Sequence, residues 1–352
     1  MEFHRCKETV DVAFNPPFLR RACLAGLLLG APLAQAAEVL LVGNKDGASV
    51  SALSMADGKE LLRLPVGTGP HEVIVSRDNK LAVVGNYGAP GKPNNSLTVI
   101  DWPTRKVLRT VDLGEDTFPH GIRFLPDNQR IAVTTEGSER LLLVDLKQGK
   151  VVQRIAIGGG KPHMVELSPD ETRAYVTHVD GGRLSVVDLE QYQKIAEVET
   201  GKGSEGIAIS KDGREVLVSN READEVVFVD TQSLKVTERI KTGQFPIRIV
   251  MTPDGKHALV TNARSAELSV IDVAQKKEIK RIALAQEGVS YRKTMLGEAA
   301  LPIGAIVAPD GKRAFVAVSG GDHVAVIDTA TWTIQQRWKA GPEPDALAII
   351  RD

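Results

Sequence analysis

The chain has 352 residues, 42% hydrophobic and 25% charged, the balance of a globular protein with a large core. A formal net charge of −1 supplies no field for nucleic acid or anionic membrane, and aromatic residues at 4% are too sparse for a base-stacking platform. A nucleic-acid partner is therefore disfavoured.

The N-terminus reads differently from the rest. In "LRRACLAGLLLGAPLAQA" (19–36) a basic pair, Arg20 and Arg21, precedes a short apolar run, and Ala34-Gln35-Ala36 forms a small-x-small cleavage site. This predicts a secretory signal segment over residues 1–36, with an apolar run too short to span a bilayer. Both cysteines, Cys6 and Cys23, lie inside it. Residues 37–352 then hold no disulfide, thiolate metal site or cysteine nucleophile. The expectation is an exported protein, periplasmic or secreted, with no membrane span.

The segment "AEVLLVGNKDGASVSALSMADGKELLRLPVG" (37–67) reads as three strands, after which a unit begins to repeat. "TGPHEVIVSRDNKLAVVGN" (68–86) returns as "TFPHGIRFLPDNQRIAVTT" (117–135) and "GKPHMVELSPDETRAYVTH" (160–178). The turn aspartates fall at 78, 127, 170, 212, 254 and 310, and a period near 42 with four short apolar runs per unit is the signature of propeller blades. In the third unit "HMVELS", "AYVTH", "LSVVDL" and "KIAEVET" are the four predicted strands, separated by Pro-Asp, Gly-Gly and polar turns. Six complete units run from about Gly69 to Gly341. The tail "PDALAII" (344–350) matches only a first strand, so head and tail complete a seventh blade. The fold class is all-β: a seven-bladed β-propeller over residues 37–352, four antiparallel strands per blade.

The strands "AYVTH", "VLVSN" and "ALVTN", each followed by a "SVID"-like strand, resemble the YVTN β-propeller repeat family over nearly all of residues 37–352. The resemblance implies an exported seven-bladed propeller, with lactonase-like enzymes and the heme d1 domain of nitrite reductases as related propellers. No CxxCH occurs, so covalent c-type heme is excluded.

The position after the recurrent proline reads His71, His120, His163, Glu205, Ile247, Ile303 and Asp345, blade by blade. One arc of the channel mouth is thus ionisable and the opposite arc aliphatic. Three imidazoles and a carboxylate, His71, His120, His163 and Glu205, form an acceptable ligand set for a divalent transition metal. Two other readings stand beside it: a metal-free ligand pocket, and residues that merely cap strands. Strand parity places Val73, Val75, Ile122 and Phe124 on the same face, so the imidazoles reach the channel only where strand pairing breaks down. Of the opposite parity, Arg123 and Glu166 are expected to pair, while Glu72 and Arg248 lie nearer the mouth as ligand contacts.

The loops add further candidates. His178 and His323 fall at the same end of the blades, and Arg140, Arg183, Arg221 and Arg264 offer forked donors for carboxylate or phosphate. Two insertions, "NYGAPGKPNNS" (86–96) and "LAQEGVSYRKTMLGEAAL" (284–301), lengthen loops on that face. Tyr291, Arg292 and Lys293 are the contacts expected of the second. The ligand-binding set is Glu72, His178, Arg221, Arg248, Arg264, Tyr291, Arg292 and Asp345. The functional expectation is a binding or scaffolding protein that takes a small molecule or protein partner at the mouth. The alternatives are a metal-dependent, lactonase-like hydrolase with a metal-bound water as nucleophile, and an accessory subunit of a redox or heme system.

Overall fold

The computed structural model describes Ala13 and residues 37–352, and the predicted export segment otherwise lies outside the described residues. Seven four-stranded antiparallel sheets follow one another along the chain. Their innermost strands are Pro70–Val75, Pro119–Phe124, Pro162–Leu167, Ser204–Ile209, Pro246–Met251, Pro302–Val307 and Pro344–Arg351. The last of these pairs with Glu38–Asn44, Val39 opposite Ile350 and Leu41 opposite Ala348, so head and tail share the closing blade. No helix among the described residues is long and apolar enough to cross a membrane.

The third blade shows why these residues form these elements. Its strands are Pro162–Leu167, Arg173–His178, Arg183–Asp188 and Gln193–Glu199, each beginning one residue before its predicted start. Asp170 ties the first turn by accepting from Ser168 Oγ at 2.5 Å and from the Thr172 amide at 3.2 Å. Asp188 ties the last turn through the amides of Glu190 and Gln191, at 2.8 and 2.7 Å. Such short side chains mimic a backbone turn, which is why aspartate recurs there. Between the middle strands Gly182 sits at φ +60°, where a side chain would also strike the carbonyl of Gly201.

The core lies between blades. One cluster joins Ile74, Val83, Leu97 and Val99 of the first blade to Ile122, Ile131, Val133 and Leu142 of the second. Another joins Val39, Leu41 and Ala348 of the closing blade to Val73, Ala82 and Val84 of the first. Each inner sheet is therefore apolar on both faces, while outermost strands such as Lys277–Ala283 are largely exposed. The ring is clasped at Asp352, whose carboxylate accepts from Trp102 Nε1 at 3.0 Å and from Arg105 Nη2 at 2.5 Å.

The first insertion is not a loose loop. It extends the second and third strands of its blade to Leu81–Ala89 and Lys92–Asp101, with Ala89 still paired to Lys92. The second folds a short hairpin, Lys293–Thr294 against Gly297–Glu298, that carries Met295 at its tip.

Candidate functional site

The mouth is built by a defect repeated in every blade. Pairing between the inner strand and its neighbour shifts register immediately beside the residue after the proline: between Pro70 and Glu72, Pro119 and Ile122, and Pro162 and Val165, and likewise in the other blades. A bulge of this kind re-aims a side chain. It turns His71, His120 and His163 out of the inter-blade face and toward the axis, the condition on which their convergence depended.

The bulge frees an amide, and the motif supplies its partner. The Thr134 hydroxyl accepts from the Gly121 amide at 2.8 Å and donates to the carbonyl of His163 in the next blade at 2.5 Å. Thr177 does the same for the Met164 amide and the Glu205 carbonyl, at 3.1 and 2.7 Å. Ser219 and Thr261 repeat it. In these four blades the hydroxyl of the YVTN-like strand thus locks the next mouth residue, His163, Glu205, Ile247 or Ile303, by its carbonyl. Gly206 shows how tight the ring is, since a Cβ there would lie 2.2 Å from the Ile247 carbonyl oxygen.

All seven mouth residues, His71, His120, His163, Glu205, Ile247, Ile303 and Asp345, line one cavity of about 240 Å³. A second ring surrounds them, formed by the residue that follows each second strand and, in the first blade, by Tyr87 at the same register inside the extended strand. Lys45, Tyr87, Glu136, Val179, Arg221 and Ser319 of that ring line the same cavity. Thr294, Met295 and Leu296 of the inserted hairpin close its outer side.

Inside, the three imidazoles form a stack. Ring centroids are 4.1 Å apart from His71 to His120 and 3.5 Å apart from His120 to His163. His163 Nδ1 is 2.7 Å from Glu136 Oε1 and its Nε2 is 3.3 Å from Glu205 Oε1. Tyr87 donates to Glu136 Oε2 at 2.6 Å, and Arg221 Nη1 donates to Glu205 Oε2 at 2.7 Å. Lys45 Nζ reaches His71 Nε2 at 3.1 Å and Asp345 Oδ2 at 3.4 Å. Neither nitrogen of His120, nor Nδ1 of His71, has a hydrogen-bond partner among the described residues.

Electrostatics separate the three histidines. Burial opposes charge on His163, but Glu205 and Glu136 outweigh it and lift the imidazole to about 9. His71 and His120 are held well below 6.5, first by burial and then by neighbouring positive charge. Burial also raises the Asp345 carboxyl, against the pull of Lys45. Glu136 and Glu205 stay below the usual carboxylate range because His163, with Tyr87 or Arg221, overcomes their burial. At neutral pH the site holds one imidazolium between two carboxylates, next to two neutral imidazoles.

The remaining sequence candidates fall elsewhere. Glu72 and Arg248 form a buried ion pair with each other beneath the stack, and Arg123 pairs with Glu166 deeper in the channel. His178 is buried between strands with Nε2 on the Ser185 hydroxyl at 2.8 Å, in the place other blades give to Asn44, Asn86, Asn220 and Asn262. Arg264 lies over the Phe245 ring at 4.0 Å, and the Tyr291 hydroxyl accepts from the Gln286 amide at 2.6 Å. Arg292 anchors the insertion by donating to Asp46 at 2.6 Å and Asp322 at 3.3 Å. Of the ligand-binding set, Arg221, Arg248 and Asp345 line the cavity. Sequence reasoning missed Lys45, Tyr87 and Glu136, although they share one register position just as the histidines do.

The cytochrome D1 heme domain family matches residues 127–347, well over half of the chain. The chain belongs to this family. No curated protein matches it in sequence. Among solved structures, the hydrazine synthase of Kuenenia stuttgartiensis is 20% identical with a TM-score of 0.69, covering 82% of this chain and 97% of that one. The periplasmic gluconolactonase of Pseudomonas aeruginosa is 17% identical with a TM-score of 0.72, covering 89% and 99%. The dihydro-heme d1 dehydrogenase NirN is 15% identical with a TM-score of 0.63, covering 88% and 74%. At these identities what is shared is the propeller fold.

The residues at this mouth do not fit the heme for which the cytochrome D1 family is named. A cavity of about 240 Å³ falls below the roughly 300–1,000 Å³ of sites that take drug-sized ligands. Its floor is occupied by the imidazole stack and its outer side by the hairpin tip.

Proposed function

We propose that this chain is an exported propeller of the cytochrome D1 heme domain family that binds a small polar ligand at the channel mouth. The observation that carries the reading is the convergence of all seven mouth residues on one recessed cavity, where both ring nitrogens of His120 and Nδ1 of His71 are buried and lack partners among the described residues. Buried polar groups without partners are expensive, and a ligand that meets them removes the cost. The cavity is sized for a handful of heavy atoms, and Lys45, Lys161 and Arg221 beside Glu136, Glu205 and Asp345 suit a ligand with its own charges. The leader over residues 19–36 supports export to the periplasm.

Two experiments test this reading. A library of small polar compounds is screened for a rise in melting temperature, with Lys45→Gln and Arg221→Gln as mouth variants. Compounds that stabilise the wild type and not the variants are expected; a library in which nothing stabilises the protein overturns the binding role. Residues 1–36 fused to a phosphatase that is active only outside the cytoplasm should give an active reporter, and an inactive one overturns export.

Family membership favours a second reading, work alongside a redox or heme system, with the heme held by a partner. Copurification of a heme protein with the exported chain would support it.

A further inference from the structure

We infer that the mouth binds one divalent transition-metal ion, with His120, His163 and Glu136 as its protein ligands and Tyr87 and Glu205 as positioning residues. This deepens the ligand-binding reading and rests on it. The donor set differs from the one expected from the sequence: Glu136 replaces Glu205, and His71 stands outside.

One ligand atom from each of His120, Glu136 and His163 lies within 4.8 Å of the other two, and all three residues are buried. Two imidazole nitrogens and a carboxylate oxygen form a donor set used by zinc and by non-heme iron(II). His120 is only 1% exposed and neither of its nitrogens has a partner among the described residues. A histidine kept for structure alone would spend at least one nitrogen on a hydrogen bond.

Glu136 is held as a ligating carboxylate should be. Tyr87 occupies Oε2, which leaves Oε1 directed at His163 Nδ1. The ion takes the place of the proton those two atoms share, and that proton leaves to solvent. The 2.7 Å contact must then open to roughly 3.3 Å, the separation of two ligands about 2.0–2.1 Å from a tetrahedral ion. On the far side of the same ring Glu205 Oε1 meets His163 Nε2, the carboxylate–imidazole contact that fixes the orientation of a ligating histidine.

Charge decides between the two glutamates. Arg221 pairs with Glu205 at 2.7 Å, so an ion bound there would sit beside a guanidinium. Glu136 pairs with His163, and no lysine or arginine bridges to it among the described residues. His71 has its Nε2 against Lys45, which sets it apart as a stacking neighbour of His120. Three protein ligands on a four-coordinate ion leave one position for water or for the small ligand.

The test uses the full chain, stripped with chelator and then titrated with ZnCl₂ by calorimetry and with CoCl₂ by visible absorption. One ion per chain and a visible Co²⁺ band are expected. Glu136→Gln and His120→Ala should each weaken binding by at least about 100-fold, and Tyr87→Phe and Glu205→Gln by about 10–100-fold. Folding of each variant is checked by circular dichroism, and the isosteric Glu136→Gln serves if His120→Ala fails to fold. In His71→Ala the Co²⁺ band should persist, and its loss overturns the assigned donor set. Absence of Zn²⁺ and Co²⁺ binding overturns the inference, as does binding that survives Glu136→Gln unchanged. If metals fail while a polar compound stabilises the protein, only this inference falls; if both fail, the binding role falls with it.

Discussion

His120 stacks on His163 with ring centroids 3.5 Å apart and planes inclined by 33°, and its two nitrogens meet neither donor nor acceptor among the described residues. Stacking holds the ring in place; nothing satisfies its polarity. Replacing it by an apolar side chain of similar volume relieves desolvation worth about 1–3 kcal/mol. Chelator-treated His120→Leu should therefore melt at or above the wild-type temperature, and added Zn²⁺ should stabilise the wild type alone. A variant that melts more than about 5 °C lower, on the order of 3 kcal/mol for a chain of this size, would mark the histidine as structural.

Beneath the stack, Arg248 and Glu72 form an ion pair in which the residues are 8% and 5% exposed. Removing one partner leaves the other charged and buried. Glu72→Gln should cost about 3–5 kcal/mol in urea unfolding, whereas Glu72→Met with Arg248→Met should recover most of that loss. Equal losses in the single and the double variant would show that the pair matters for its shape and not its charge.

His178 predicts a pH dependence. Burial lowers its pKa from 6.5 to about 4, so between those values the unfolded chain holds a proton that the folded chain does not. Its neutral-state stability is complete above about pH 6.5 and is lost as pH falls toward 4, by on the order of 3 kcal/mol. His178→Asn restores the residue found in the equivalent place of four other blades, and should flatten that part of the stability profile measured by chemical denaturation. Parallel profiles for variant and wild type would refute the assignment.

Closure depends on nine residues at the C-terminus. Deleting 344–352 removes the strand paired with Glu38–Asn44 and the Asp352 clasp on Trp102, exposing an apolar sheet edge. The truncated chain should lose its sharp thermal transition and elute as aggregate in size-exclusion chromatography. A monomeric, cooperatively melting truncation would mean that the ring does not require the shared blade.

Much of this was legible in one dimension. Turn aspartates such as Asp170 and Asp188 mark strand boundaries to within a residue, because a turn is satisfied by atoms two or three residues away. The histidine position carried over from blade to blade for the same reason. The first insertion misled, since its proline and glycines suggested a loop where Ala89 and Lys92 continue the ladder. His178 misled as well: it lies at the correct end of its blade but fills an asparagine niche between strands. Lys45, Tyr87 and Glu136 were within reach of the same register argument that found the histidines.

By itself the sequence determined the blade count, the shared closing blade and the seven inner-strand residues that face the mouth, because repetition turns local spacing into symmetry about one axis. Only the tertiary structure decided which of those residues meet. Glu136 turns to His163, Glu205 divides itself between His163 and Arg221, and Glu72 crosses the channel to Arg248. All but the Glu205–Arg221 contact join different blades, and each depends on side-chain reach and competition between charges around the axis, which strand periodicity does not encode.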